Sequence, residues 1–110
     1  MDDQDPSLPF SSHPPFLLAD ARVDPPALRI AHGRTSQRIE AKVMQVLLVL
    51  AREPGQVVSR RDLEAEVWAG RVVTDDAVTN TIGKLRKALH DNPRQPQFIE
   101  TIAKSGYRLK

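Results

Sequence analysis

Between Ala77 and Leu89 the apolar residues Val78, Ile82, Leu85 and Leu89 recur at steps of four, three and four. At about 100° per residue they line up as one narrow stripe, which predicts an amphipathic helix over about residues 76–89. On the same wheel Asn80, Lys84 and Lys87 fall on the far side, with Thr81 and Arg86 on opposite flanks. One edge of this segment suits a core and the other suits a polyanion. Upstream, Val43, Met44, Val46, Leu47, Leu48, Leu50 and Ala51 cover much more than one stripe. A helix from about Glu40 to Arg52 is therefore expected to form the buried centre of the fold. Pro54-Gly55 ends it. Val57-Val58 reads as a brief extended link, and Leu63 and Val67 hold a short helix from Arg60 to about Trp68.

Punctuation residues agree with these boundaries. Ser59 with Asp62 three residues on resembles a capping box, with Asp replacing the usual Glu. Gly70 closes that helix. Thr74, Asp75 and Asp76 suit the start of the next one, because their oxygens accept free backbone N–H groups and their charge suits the helix dipole. Asp91, Asn92 and Pro93 stop it. FIETI, AKSG and YRL then predict a β-hairpin over about 98–109, with a four-residue loop in which Gly106 takes positive φ. Before the first helix, FLLADARV, ALRIAH and TSQRI predict three short strands of a small antiparallel sheet, with turns at Asp24-Pro25-Pro26 and Gly33. Residues 1–15 hold Pro6, Pro9, Pro14 and Pro15 among Ser, Asp and Gln, a composition expected to stay disordered. One α+β domain over residues 16–110 follows.

Charge sharpens this picture. The net formal charge is only +2 over 110 residues. Its distribution is uneven. Asp2, Asp3, Asp5 and Asp20 precede the first base, Arg22. Residues 80–110 carry Lys84, Arg86, Lys87, Arg94, Lys104, Arg108 and Lys110 against Asp91 and Glu100 alone. A basic C-terminal third in a near-neutral chain is a local electrostatic footprint.

Other classes of function fare poorly. There is no cysteine, so no disulfide, thiolate zinc site or cysteine nucleophile is possible. No apolar run approaches the ~20 residues that cross a bilayer, and the acidic start is the reverse of a signal peptide's. His13, His32 and His90 are not spaced as metal ligands, and none has an evident serine or carboxylate partner. The five glycines are scattered, with no phosphate-cradling loop. An enzyme is not expected, and no cofactor is implied.

Short helix, loop, second helix and basic-tipped hairpin together outline a winged helix-turn-helix that grips duplex DNA. In that reading Lys84 donates to guanine O6 and N7, and Asn80 pairs with the N6 and N7 edge of adenine. Thr81 meets a thymine methyl or a phosphate. Thr79, Arg86 and Lys87 hold phosphates and set register, although Arg86 can instead brace the helix from within the domain. Lys104 and Arg108 suit a narrow minor groove or its phosphates. Trp68 is read as part core, part phosphate contact through its indole N–H. A winged helix used as a protein-interaction module is the alternative. Asn80 and Thr81 beside Lys84 favour DNA, since docking by charge alone does not call for them.

The segments VVSRRDLEAEVW, VTDDAVTNTIGKLRKALHD and FIETIAKSGYRL resemble the OmpR/PhoB-type winged-helix DNA-binding domain. They are most similar to its ToxR/CadC-like branch, and the likeness covers roughly Leu17 to Leu109. It implies a four-stranded N-terminal sheet, a recognition helix in the major groove and a wing at the adjacent minor groove. It further implies a loop at 69–74 that can face RNA polymerase, and head-to-tail pairing on tandem sites. A free monomer is expected because no long heptad or exposed apolar face is left over once the three helices have packed. The implied parent is a signal-responsive regulator, of phosphorelay or ToxR/CadC-like type, working in the cytoplasm. Since the chain stops at Lys110, directly after the hairpin, that parent is expected to be longer, with an inner-membrane anchor in the ToxR/CadC-like case. Three positions depart from the family pattern. Ala41 stands where a proline commonly opens the first helix. Gly83 replaces a frequent long basic residue, and Ala103-Lys104-Ser105 replaces a more basic wing tip.

Overall fold

The computed structural model describes residues 13–110 apart from 70, 72 and 93. The disordered leader expected at 1–15 falls mostly outside these residues, as does the helix-closing role expected of Gly70 and the Pro93 part of the later helix stop.

Four strands open the domain, as the resemblance implies and one more than the strand segments suggest: β1 (Phe16–Leu18), β2 (Ala21–Asp24), β3 (Arg29–His32) and β4 (Thr35–Arg38). They pair antiparallel in sequence order, with Phe16 opposite Val23, Val23 opposite Ile30, and Ile30 opposite Gln37. The segment read as one strand folds back on itself at Ala19-Asp20, where Ala19 takes φ 53°. A left-handed alanine gives no compositional signal. Period-two alternation then decides which side is covered: Ala21, Val23 and Ile30 are buried, while Arg22 and Arg29 are exposed. Those three join the same apolar cluster as the helices.

Helix α1 (Ala41–Ala51) buries Val43, Met44, Val46, Leu47, Val49 and Leu50. It packs against α2 (Arg60–Val67) and α3 (Asp75–Ala88), and so is the centre that its apolar breadth predicts. The cap at Ser59 forms as expected, its hydroxyl accepting from the Asp62 N–H at 3.0 Å. The other end of α2 is held from outside, since Lys42 Nζ donates to the Val67 carbonyl at 2.7 Å.

The hairpin pairs β5 (Ile99–Ile102) with β6 (Gly106–Leu109). Three residues connect them, one fewer than the sequence suggests, because Gly106 itself opens β6. Lys104 in the turn and Gly106 both take positive φ, at 63° and 142°. On its outer side β6 meets the link between α1 and α2. Val58 and Tyr107 exchange both backbone hydrogen bonds, at 2.7 and 3.0 Å, and the Gly55 N–H donates to the Leu109 carbonyl. A Cβ on Gly106 would lie 2.1 Å from the Val58 carbonyl oxygen. Backbone contact, as well as backbone conformation, demands glycine there.

Gly106→Ala should therefore combine left-handed strain of about 1–3 kcal/mol with an overpacking cost of similar size. At about 4–8 °C per kcal/mol, thermal melts should show a drop of roughly 10 °C or more. Gly33→Ala shares the positive φ but meets nothing within 4 Å, so its drop should be clearly the smaller. Equal losses would mean that the approach to Val58 is not what excludes a side chain.

Candidate nucleic-acid interface

Helix α3 is fastened at both ends. Thr74 caps it, the hydroxyl accepting from the Ala77 N–H at 3.3 Å. At the other end His90 takes φ 58°, its N–H donating to the Lys87 carbonyl while the Asp91 N–H reaches back to Arg86. That pair of bonds is a Schellman motif, with histidine in the position usually given to glycine. Gln37 Nε2 reaches across from β4 to the Ala88 carbonyl at 3.2 Å.

The buried arc of α3 takes in Val78, Thr81, Ile82, Leu85, Ala88 and Leu89. It is wider than the four-residue stripe in the sequence. Thr81 is accordingly not on an open flank: it is 9% exposed, and its hydroxyl donates to the Ala77 carbonyl at 2.8 Å. It leaves the set of outward candidates. Asp76, Thr79, Asn80, Gly83, Lys84 and Lys87 form the exposed arc. At about 100° per residue the order around it is Thr79, Gly83, Asp76, Lys87, Asn80, Lys84. Asp76, expected only to open the helix, thus shares this face.

Arg86 turns to the hairpin. Its Nη2 donates to the Ile99 carbonyl at 3.0 Å and to Thr101 Oγ1 at 2.8 Å. The bracing role is the one it adopts. Its Nε is buried with no hydrogen-bond partner among the described residues, so the brace carries a desolvation cost of its own. Lys84, on the opposite edge of the arc, pairs with Glu40 Oε1 at 3.0 Å. Glu40 precedes α1 without capping it through its side chain. Both partners are more than half exposed, which makes this a pair worth about 0–1 kcal/mol and easily exchanged for another anion.

On the hairpin Lys104 is exposed at the tip. Arg108 is engaged across the strands, Nε donating to Glu100 Oε1 at 2.6 Å. That bond holds the Glu100 carboxyl below its ordinary range. The pair is therefore intact at neutral pH, and its stabilisation is lost only as pH falls through that lowered value. Trp68 caps the C-terminus of α2 and packs, half-buried, against the core.

A three-helix core with one polar helix face exposed beside a braced hairpin defines a winged helix-turn-helix. The four-stranded sheet before it narrows the type. The family model described as "Transcriptional regulatory protein, C terminal" matches residues 34–109. The chain is 39% identical over 100 residues to the cholera toxin transcriptional activator of Vibrio cholerae, and 35% identical over 97 residues to the transcriptional activator CadC of Escherichia coli. These alignments take in 86% and 87% of this chain but only 34% and 19% of those proteins. Among solved structures, the DNA-binding domain of E. coli CadC matches with a TM-score of 0.73 and 32% identity, over 83% of this chain and 86% of that one. The Klebsiella pneumoniae RstA DNA-binding domain in complex with the RstA box matches with a TM-score of 0.75 and 26% identity, over 88% and 97%. The chain belongs to this family of transcription-regulator domains, of OmpR/PhoB and ToxR/CadC type. It is a family of DNA-binding output domains, not of enzymes.

Removing the Arg86 brace should loosen helix from hairpin. Arg86→Ala leaves the Ile99 carbonyl without that donor and should cost about 1–3 kcal/mol in urea unfolding. Lys87→Ala, one residue on and exposed, should stay within about 0.5 kcal/mol. Indistinguishable stabilities would remove the brace from the account.

Proposed function

We propose that this domain binds duplex DNA sequence-specifically, with α3 in the major groove and the β5–β6 hairpin at the adjacent minor groove. One observation carries the reading: α3 keeps Asp76, Thr79, Asn80, Lys84 and Lys87 exposed while Arg86 ties it to the hairpin that bears Lys104. Short polar residues near the helix N-terminus suit base edges, and the lysines suit phosphates and guanine. Asn80 and Lys84 are assigned to base reading, Thr79 and Lys87 to phosphates. Lys104 is assigned to the minor groove. Arg108 and Arg86 support those contacts from within the fold, and Trp68 steadies the end of α2.

The same reading extends to assembly. The described surface has few large apolar side chains exposed, Leu17 and Val57 being the ones at 70% and 40%, which suits a monomer in the free state. Head-to-tail pairing on tandem sites about one helical turn apart would then put both copies on one side of the duplex. RNA polymerase is the second partner this reading assigns, at the segment 69–74. A DNA partner requires access to the cytoplasm, and a longer parent anchored in the inner membrane is compatible with that. Among the described residues no helix is long and apolar enough to cross a membrane.

Selection of bound duplexes from a random pool, followed by footprinting, tests the reading directly. Failure to enrich any sequence, together with binding to an acidic protein surface, would favour the protein-interaction alternative. On an enriched site, Lys84→Ala should lose about 1–3 kcal/mol of specific binding and relax preference at one base pair. Lys87→Ala should weaken all duplexes alike and lower the salt slope by about 0.9. If the two variants behave identically, Lys84 has no base-reading role.

A further inference from the structure

Gly83 occupies an unusual position for a glycine. It lies in the interior of α3, the ninth of its fourteen residues, where glycine is the weakest helix former after proline. Nothing among the described residues asks for it. Its φ is not among the positive ones, and a Cβ built on it meets nothing within 4 Å. It is exposed, between Thr79 and Asn80 one turn before and Lys87 one turn after. Packing and backbone conformation thus give no reason for the missing side chain, and close approach by the surface of another molecule does.

We propose that Gly83 is a specificity-determining residue: its bare backbone lets α3 sit deep enough in the major groove for Asn80 to reach a base edge. This rests on the DNA-binding reading above. Asn80 is a short side chain, with reach far below that of Arg or Lys. A helix held away from the groove floor by a long residue at 83 could still neutralise phosphates through Lys87. It could not bring an asparagine amide to within hydrogen-bond distance of adenine N6 and N7, where about 3 Å is needed. Glycine at 83 therefore exchanges helix stability for depth of insertion.

The test compares wild type, Gly83→Ala and Gly83→Arg on duplexes enriched by the wild-type domain and on random duplex, at two salt concentrations, with melting temperatures recorded alongside. Gly83→Ala should melt roughly 4–8 °C higher, as expected of alanine in an exposed helix interior. It should also lose at least about tenfold in affinity for the enriched duplex, while random duplex changes by less than about twofold. Gly83→Arg should bind random duplex more tightly, with a salt slope larger by about 0.9, and should not regain the wild-type preference. Retention of that preference by both variants would overturn the proposal and leave the DNA-binding reading intact. A lower melting temperature for Gly83→Ala would also overturn it, by showing that the fold itself needs the glycine. Failure of the wild-type domain to enrich any duplex would overturn both, and is recognisable because it appears before any variant is made.

Discussion

Three backbone N–H groups converge on one buried carboxylate at the end of α3. Asp91 Oδ1 accepts from Gln97 at 2.7 Å and from Phe98 at 3.3 Å, and Oδ2 accepts from Ile99 at 2.9 Å. The residue is only 9% exposed. A negative charge just past a helix C-terminus opposes the dipole by about 0.3–1 kcal/mol. Each charge-assisted bond returns about 1.5–3 kcal/mol, so the bonds decide the matter. Their effect is geometric. They fix where β5 begins relative to the last turn of α3, and Arg86 fixes the same strand from one turn further back. The hairpin is thereby oriented by α3 and not by its own short turn.

This coupling makes helix and wing a single body. Val58 and Tyr107 close the opposite side, so the hairpin is gripped between α3 and the α1–α2 link. An element held this way loses little further freedom on binding, and more of the contact energy appears as affinity and specificity. The basic count in the C-terminal third overstates the charge offered outward. Arg86 and Arg108 are committed to Ile99, Thr101 and Glu100, and Lys110 Nζ donates to the Pro96 carbonyl. Lys84 is tied by an exposed pair with Glu40, which is weak enough to leave it open to exchange for another anion.

Helices, caps and core were legible because each rests on local chemistry: a 3.6-residue period, a hydroxyl before a free N–H, a run of apolar residues. Ser59 and Thr74 stand where their oxygens are needed. The remainder depended on partners distant in the chain. Arg86 meets Ile99 and Thr101, and Gln37 meets Ala88 across 51 residues, which no spacing rule anticipates. Asp91 was readable as a helix stop, but not as the acceptor that orients a hairpin. Thr81 shows a limit of the wheel. A threonine can bury itself by bonding the carbonyl four residues back, so its polarity in sequence does not report its side in space. The β1–β2 turn escaped for a related reason, since nothing in the type of Ala19 marks a left-handed residue.

Gly106 and Gly83 show how differently one residue type can be constrained within one domain. At Gly106 the reason is internal, since the Val58 carbonyl occupies the space a side chain would need. At Gly83 the space is open and the helix would be more stable with almost any other residue. An unforced glycine in an otherwise well-capped and well-braced helix is a local inconsistency, and such inconsistencies concentrate where function, not folding, sets the residue. The rigidity supplied by Asp91 and Arg86 gives that position its leverage. On a loosely held helix, the depth lost to one side chain could be recovered by tilting. On a helix locked to its wing, and in the docking proposed above, tilting would pull Lys104 away from the adjacent groove, so depth at residue 83 and reach at residue 104 could not be adjusted separately.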